Sequence, residues 1–265
     1  MGVPKPWEGY FEPIKIFGNL YFVGTKDVST HILDTGDGYV MFDSGYQHTL
    51  HQVIHNMHLL GLSPNNLKYI IHTHGHIDHF GATKSLVALT GAKTVIGRAD
   101  RDYANGKRDL SYAKELQMDY TETFEPDVLL DDGDVFEFGN CKIYAVATPG
   151  HTEGATSYFF DVTDGSEVLR AGLHGGAGLN TLTKDFLNEH NLPFSLRDDY
   201  INSMLKLNEQ KIDIFLGNHM KQSKTIEKAE KLKAGDKYAF VDKEGFIAFN
   251  LDCIKRLKEL IESEK

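Results

Sequence analysis

The chain has 265 residues, enough to bury a substantial core without disulfide support, which excludes the small cross-linked scaffolds. Hydrophobic residues make up 41% and charged residues 25%, proportions that are typical of a globular protein rather than a disordered one. The formal net charge is −10 at neutral pH. Because this charge repels phosphate groups, we expect neither a nucleic-acid partner nor binding to an anionic membrane surface.

The cysteine content and the apolar pattern bear on the compartment. Cys141 and Cys253 lie far apart and outside any metal-binding spacing, and such scarcity fits a reducing environment. The first residues lack the continuous apolar stretch of a secretory signal. No apolar run approaches the roughly 20 residues that span a bilayer. We therefore predict a cytoplasmic protein without a membrane-spanning segment, and the sequence does not indicate an oligomeric state.

Apolar periodicity in the first part of the chain predicts an α/β fold. Short β-rich runs are followed by a helix, a buried strand, a second helix and another strand, an order that is typical of α/β architecture. The predicted strands are 14–17, 20–23, 31–34, 39–42, 69–71 and 94–96, and the predicted helices are 47–60 and 82–89.

The second part of the chain starts with a segment of weak pattern. Residues 98–124 are polar with little helical periodicity, so we predict a helical insertion or a lid there. Strands return within 128–162 and at 212–216, and helices are predicted at 196–207, 225–233 and 246–261. Because no linker or repeat divides the chain, we predict one domain over 1–265.

Four candidate metal ligands lie within six residues, directly after the buried strand 69–71. They are His74, His76, Asp78 and His79. In extended backbone, residues two apart project to the same side, so His74 and His76 can share one ion. Asp78 and His79 can then turn toward a neighbouring ion. Imidazole and carboxylate together suit zinc, with iron or manganese as alternatives.

Two further histidines follow the ends of predicted strands, His151 after Thr-Pro-Gly and His219 after Gly-Asn. Loops at one edge of a sheet converge. We therefore expect His151 to complete a three-histidine site, and His219 to complete a site with Asp78 and His79.

The remaining histidines carry weaker signals. Those of the first helix lie away from its apolar stripe and are expected to face solvent. They are His48, His51, His55 and His58. His72 is expected to be a supporting group behind the ligands or a buried neighbour.

The histidine-rich stretch resembles the hallmark of the metallo-β-lactamase superfamily. It reads Thr-His-Gly-His-Ile-Asp-His over 73–79. The Phe-Asp-Ser-Gly sequence at 42–45, Thr-Pro-Gly-His-Thr-Glu-Gly at 148–154 and Leu-Gly-Asn-His at 216–219 are similar to further motifs of that superfamily. The resemblance covers nearly the whole chain. It is strongest to the third subclass of metallo-β-lactamases, whose metal sites contain His and Asp but no Cys.

The resemblance implies a four-layer αβ/βα sandwich with the metals at one edge. It assigns one zinc ion to the first ligand group and a second zinc ion to the other, with a hydroxide between them. The first group is His74, His76 and His151, and the second is Asp78, His79 and His219. Asp43 would support the ligands from behind. Asp78 would also be catalytic, by orienting the hydroxide and relaying a proton to the leaving group.

One departure from the superfamily pattern reduces the range of reactions that we expect. Many lactonases, glyoxalases and persulfide dioxygenases of the superfamily have a metal-bridging Asp after Ala-Gly, whereas Leu173 follows Ala171-Gly172 here. The third lactamase subclass also lacks that Asp. We therefore expect a hydrolase that opens a cyclic amide or another small carboxyl derivative. The alternatives are a lactonase or thioester hydrolase, and a non-haem iron redox protein on the same scaffold.

The residues after Gly172 are candidates for substrate contact. Because they follow the position where the superfamily places a site residue, Leu173 and His174 are predicted to line the pocket of a small-molecule substrate. His174 could donate to a developing oxyanion there. A polar loop residue without a role in the reaction is the alternative.

Overall fold

The computed structural model of the chain describes residues 9–118 and 121–265. The strands are β1 (Ile14–Phe17), β2 (Leu20–Phe22), β3 (His31–Asp34), β4 (Tyr39–Phe42), β5 (Leu67–Ile71), β6 (Lys93–Gly97), β7 (Val128–Leu130), β8 (Val135–Phe138), β9 (Cys141–Ala147), β10 (Thr156–Thr163), β11 (Val168–Leu173) and β12 (Ile214–Leu216). The helices are α1 (Leu50–Leu59), α2 (Ile77–Phe80), α3 (Thr83–Thr90), α4 (Arg101–Ala104), α5 (Lys184–Glu189), α6 (Leu196–Asn208), α7 (Thr225–Lys233) and α8 (Lys243–Ser263).

The strands form two mixed sheets. Within the described ranges, the first sheet has seven strands in the order β1-β2-β3-β4-β5-β6-β7. Its strands pair antiparallel from β1 to β4 and parallel from β4 to β7. The second sheet has five strands in the order β12-β11-β10-β9-β8. There only β11 and β12 pair in parallel, again counting the described residues alone.

Side-chain alternation along the strands places the sheets face to face. In β10, Tyr158 and Phe160 point into the core between the sheets, whereas Phe159 points to the outer helices. Phe42 of β4 belongs to the same central core, while Met41 beside it packs toward α1 and α3. Helices α6 and α8 cover the outer face of the second sheet. The predicted four-layer αβ/βα sandwich is thus confirmed.

The carboxyl ends of several strands meet at one edge of the sandwich. β4, β5 and β6 run parallel, so the loops after residues 42, 71 and 97 lie side by side. β9, β11 and β12 point in one direction in the second sheet, which brings the loops after 147, 173 and 216 together. All the predicted metal ligands lie in these loops or in α2, which follows β5.

Some elements differ from the sequence prediction. The first helix begins with a 3₁₀ turn (Gln47–Thr49), and its α-helical part ends at Leu59. Helix α5 was not predicted, because its six residues are too few to show a helical period. The segment 98–124 starts with a 3₁₀ turn (Arg98–Asp100) and α4, then continues as turns and extended chain up to the two residues, 119 and 120, that lie outside the described ranges.

Among residues 9–118 and 121–265, no helix is both long enough and apolar enough to cross a bilayer.

The central core should be sensitive to the loss of aromatic volume. Phe160 is fully buried and stacks on Phe42 with ring centroids 4.8 Å apart. We expect Phe160→Ala to lower the free energy of unfolding by about 3–5 kcal/mol, measured by urea denaturation. Val168→Ala is the control, because Val168 is 63% exposed. Its effect should stay within about 0.5 kcal/mol. Equal losses in the two variants would contradict this packing.

Candidate metal centre

Three buried imidazoles converge at the edge of the sandwich. His74 and His76 come from the loop after β5, and His151 from the loop after β9. One ring nitrogen from each of them falls in a group whose atoms all lie within 4.8 Å of one another. His74 Nε2 is 3.1 Å from His76 Nδ1. This is the first ligand group that the sequence predicts.

The second predicted group lies beside the first. Asp78 Oδ2 is 3.3 Å from His79 Nε2 and 3.3 Å from His219 Nε2. The two imidazole nitrogens are 3.2 Å apart. His74 also approaches Asp78 and His79, so the two groups are contiguous. Helix α2 supplies Asp78 and His79 on consecutive positions, while His219 enters from the loop after β12.

Hydrogen bonds behind the rings determine which nitrogen faces the centre. His74 Nδ1 lies 2.9 Å from the Gly175 carbonyl oxygen, and His151 Nδ1 lies 2.9 Å from that of Gly178. Because a carbonyl oxygen only accepts, each Nδ1 carries the proton and donates it. The Nε2 atoms of these rings therefore present free lone pairs to the centre.

The donor set fits two metal ions. Tetrahedral zinc with bonds of about 2.0–2.1 Å places its ligand atoms about 3.3–3.4 Å apart, close to the distances between these donors. Imidazole nitrogen and carboxylate oxygen are suitable ligands for zinc, and also for iron. His74, His76 and His151 would hold one ion, and Asp78, His79 and His219 the other.

The protonation states differ between the groups. Burial lowers the pKa of His151 to about 4, and burial together with neighbouring imidazoles holds the pKa of His74 and His76 well below the usual range. These three rings are neutral at pH 7, which is the form that binds metal. Burial would also lower the pKa of His79, but the Asp78 and Asp43 carboxylates outweigh it and raise that pKa to about 10.

Asp78 is held as a carboxylate by its neighbours. Burial alone would raise its pKa, but the imidazoles of His79 and His219 bring it well below the usual range. For His219, Asp27 and Asp78 overcome the effect of burial and raise the pKa to about 9. Since a ligating nitrogen must be unprotonated, binding of an ion by this second group would require each of the two rings to lose one proton.

Asp43 supports the second group from behind, in the position predicted for it. Its Oδ2 accepts hydrogen bonds from His79 Nδ1 and from the Thr73 hydroxyl, both at 2.7 Å. Its Oδ1 accepts from the Thr73 backbone N–H at 2.7 Å. Asp43 has a positive φ of 56°, a strained conformation for a residue with a side chain. These contacts fix the ring of His79 and the start of the histidine-rich loop.

Asp43→Asn is expected to weaken binding of the ion at the second group by about 10–100-fold, the usual cost of losing a ligand's supporting partner. The amide replaces one acceptor oxygen with a donor, so at least one of the three hydrogen bonds is lost. Competition between the protein and a zinc-binding dye measures the effect. Unchanged affinity for both zinc equivalents would remove Asp43 from this role.

The other sequence candidates lie elsewhere. His51, His55 and His58 are exposed on α1, as expected. His48 is half-buried against the Tyr46 ring, contrary to the expectation that it faces solvent. None of these four belongs to the two ligand groups. His72 is a buried neighbour, with its ring nitrogens 3.0 Å from the Val95 carbonyl oxygen and 2.7 Å from the Thr83 hydroxyl.

Leu173 and His174 do not line the site, contrary to prediction. Leu173 ends β11 inside the core between the sheets. His174 is fully buried, and its Nδ1 accepts a hydrogen bond from Gly176 N–H. Because β11 continues into a buried segment rather than a surface loop, neither side chain reaches the cleft in front of the ligands.

Comparison with known proteins identifies the family. The family model described as the metallo-beta-lactamase superfamily matches residues 23–219. The chain belongs to this superfamily. The native FEZ-1 metallo-beta-lactamase from Legionella gormanii aligns over 98% of this chain and 98% of its own, with 27% identity and a TM-score of 0.89.

Other metallo-β-lactamases align over nearly the full chain as well. BJP-1 of Bradyrhizobium japonicum, a subclass B3 metallo-beta-lactamase, covers 98% of this chain and 99% of its own, with 25% identity and a TM-score of 0.86. The similarity to the third subclass, inferred from the motifs, is thus confirmed. The chain has the metallo-β-lactamase fold and a histidine-rich site at the edge of its sandwich.

Curated relatives match over shorter stretches. A beta-lactamase hydrolase-like protein of Agrobacterium fabrum is 34% identical over 35% of this chain and 21% of its own length. A hydroxyacylglutathione hydrolase of Maricaulis maris is 34% identical over 35% of this chain and 29% of its own length. The chain thus matches less than a third of the length of either relative.

Several residues at the candidate metal centre were not predicted from the sequence. Asp27, whose Oδ1 lies 3.5 Å from His219 Nδ1, stands alone in a loop and shows no signal in its spacing. Tyr46 lines the cleft, and its position directly after the Phe-Asp-Ser-Gly motif was an available signal. Tyr112, with its ring centroid 5.4 Å from that of His76, belongs to the polar segment that gave no firm pattern.

Proposed function

We propose that the chain is a di-zinc hydrolase that opens a cyclic amide, with β-lactams as the first substrate class. The observation that carries the proposal is the pair of contiguous donor groups, built from His and Asp without Cys. The full-length similarity to the FEZ-1 metallo-beta-lactamase supports the choice of substrate class. Two bound zinc ions would supply an activated water at neutral pH and polarise the substrate carbonyl.

Asp78 has the properties that a proton relay requires. Its carboxylate is 14% exposed at the cleft and is kept ionised by the two imidazoles beside it. An ionised carboxylate can take the proton of the attacking water on one oxygen. It can then give that proton to the leaving nitrogen as the carbon–nitrogen bond breaks.

The cleft in front of the ligands admits a substituted substrate. It has a volume of about 1380 Å³, which exceeds the range of about 300–1,000 Å³ typical of small-molecule pockets. Tyr46, Tyr112 and Leu116 contribute to its lining, and so do Phe249 and Arg256 of α8. This mixture of aromatic and charged groups suits an amphipathic molecule that extends beyond the reacting ring.

A second candidate is hydrolysis of an acyl-glutathione or a related thioester. The curated relatives named hydroxyacylglutathione hydrolases support it, at 34% identity over 93 residues in one case. The same donor groups and the same carboxylate would serve this reaction, in which sulfur rather than nitrogen leaves. A lactone is chemically intermediate between the two. The iron redox alternative uses similar ligands and is distinguished by the metal that supports turnover.

Acid release in a pH-stat tests the proposal, because opening any of these substrates liberates a proton. Zinc-loaded protein is assayed on a panel of β-lactams, lactones and thioesters, with the chelator-treated protein as background. We expect turnover of lactams that disappears with the chelator and returns with zinc. Turnover of thioesters or lactones but not of lactams would show that the proposed cyclic-amide substrate class is wrong. Silence with zinc but oxygen-dependent turnover with iron would favour the redox alternative.

A further inference from the structure

A second buried carboxylate, in addition to Asp43, binds the loops that carry the candidate metal ligands. Asp100 belongs to the 3₁₀ turn that follows β6 and is fully buried. Its Oδ2 accepts hydrogen bonds from Gly75 N–H at 2.7 Å and from the Thr152 hydroxyl at 2.6 Å. Its Oδ1 accepts from Gly154 N–H at 2.6 Å. Each donor lies in a loop that carries metal ligands.

The positions of these donors connect Asp100 to one ligand group. Gly75 separates His74 from His76 in the chain, and Thr152 directly follows His151. One carboxylate therefore ties together the two loops that provide the three-histidine group. Hydrogen bonds to an ionised acceptor are about twice as strong as those between neutral groups. The three hydrogen bonds of an ionised Asp100 therefore hold the two loops together strongly.

Close packing reinforces the connection. A Cβ on Gly75 would lie 2.6 Å from the Tyr103 Cβ, and a Cβ on Gly154 would overlap the Asp100 backbone. The Tyr103 hydroxyl and Arg108 both bind Glu153, which lies between Thr152 and Gly154 in the same loop. The segment after β6 thus contacts Gly75 in one loop and residues 152–154 in the other, and Asp100 forms hydrogen bonds with both loops.

We propose that Asp100 is a positioning residue that holds the three-histidine group in its metal-binding geometry. It touches neither substrate nor metal, and it acts through the backbone of the two loops. Without it, three buried donors lose their acceptor and the loops that hold His74, His76 and His151 can separate. Asp43 has the corresponding function behind His79, so each ligand group has its own buried carboxylate.

The ionisation of Asp100 agrees with this role. Burial raises the pKa of its carboxyl to about 6, and the hydrogen bonds from Thr152, Gly75 and Gly154 oppose that rise. At pH 7 and above the group is therefore ionised and can accept all three hydrogen bonds. No comparable negative charge would be present in the asparagine variant.

Titration of the metal-free protein with Co²⁺ tests the inference, because the visible spectrum reports ligand geometry and requires no substrate. We expect the wild type to bind two Co²⁺ ions. In Asp100→Asn, the affinity for one of them should fall by about 10–100-fold, and the visible spectrum of that ion should change. Thr152→Val removes only one of the three hydrogen-bond donors, so it should lower the affinity for the same Co²⁺ ion by a smaller factor. If Asp100→Asn does not fold, Thr152→Val alone tests the positioning role of Asp100.

Asp127→Asn is the matched control for loss of stability alone. Asp127 Oδ2 accepts from the Thr94 N–H and hydroxyl, each at 2.8 Å, in a region without ligands. Its Co²⁺ affinities should equal those of the wild type. The inference rests on the proposed metal site but not on the substrate. Wild-type affinity in both Asp100→Asn and Thr152→Val, or equal weakening in the control, would overturn it. Failure of the wild type to bind Co²⁺ would overturn the metal site itself.

Discussion

His76→Ala is expected to lower kcat/KM by more than about 100-fold, beyond the 10–100-fold typical of losing a supporting partner of a ligand. Its Nδ1 lies 3.1 Å from His74 Nε2, and it is one of only three donors in its group among the described residues. Two imidazoles alone hold zinc far less tightly than three. The measurement is kcat/KM on the best substrate of the pH-stat panel, together with the zinc content of the same sample.

His58→Ala provides the matched control, because it removes an exposed histidine of α1. This variant should keep the zinc content and the turnover of the wild type. If His76→Ala retained two zinc equivalents and wild-type kcat/KM, the three-histidine group would not be the site of the reaction.

The second large effect concerns Asp78. We expect Asp78→Asn to lower kcat by about 10²–10⁴-fold, the usual contribution of a positioned proton-transfer group. Asparagine keeps the shape of the side chain but cannot take a proton. It also presents a neutral group to His79 and His219, so the second metal will bind more weakly. The kcat is therefore measured at saturating zinc, with the bound metal counted in each sample.

The zinc dependence separates the two roles of Asp78. If Asp78 is only a ligand, activity will return to the wild-type value once zinc saturates the second group. If it also relays a proton, the deficit will persist with both ions bound. Full turnover of Asp78→Asn with two zinc equivalents would show that the relay is wrong.

The strand ends explain why so much of the site was predictable from sequence. His74, His151 and His219 each follow an apolar run closely, and parallel strands place such positions at one edge. In extended backbone, residues two apart project to the same side, and this rule correctly predicted that His74 and His76 face the same centre.

Groups that act across long sequence distances were not predictable. Asp100 lies 25 residues from Gly75 and 54 from Gly154, and Asp27 reaches His219 from the far end of the chain. A single carboxylate in a loop shows no pattern that would indicate its partner. His174 was placed wrongly because the prediction rested on its position after Gly172 in the superfamily pattern, whereas the continuation of β11 keeps its side chain buried.

The most direct test of the metal centre is a titration of the metal-free protein with zinc, followed by acid release from one hydrolysed substrate. The two donor groups predict that activity rises with added zinc and becomes constant when two equivalents are bound per chain. Full activity in the rigorously metal-free protein would contradict the account. If His76→Ala and Asp78→Asn bound zinc as tightly as the wild type, the zinc ions would lie outside the six ligands. That result would also contradict the proposed metal centre.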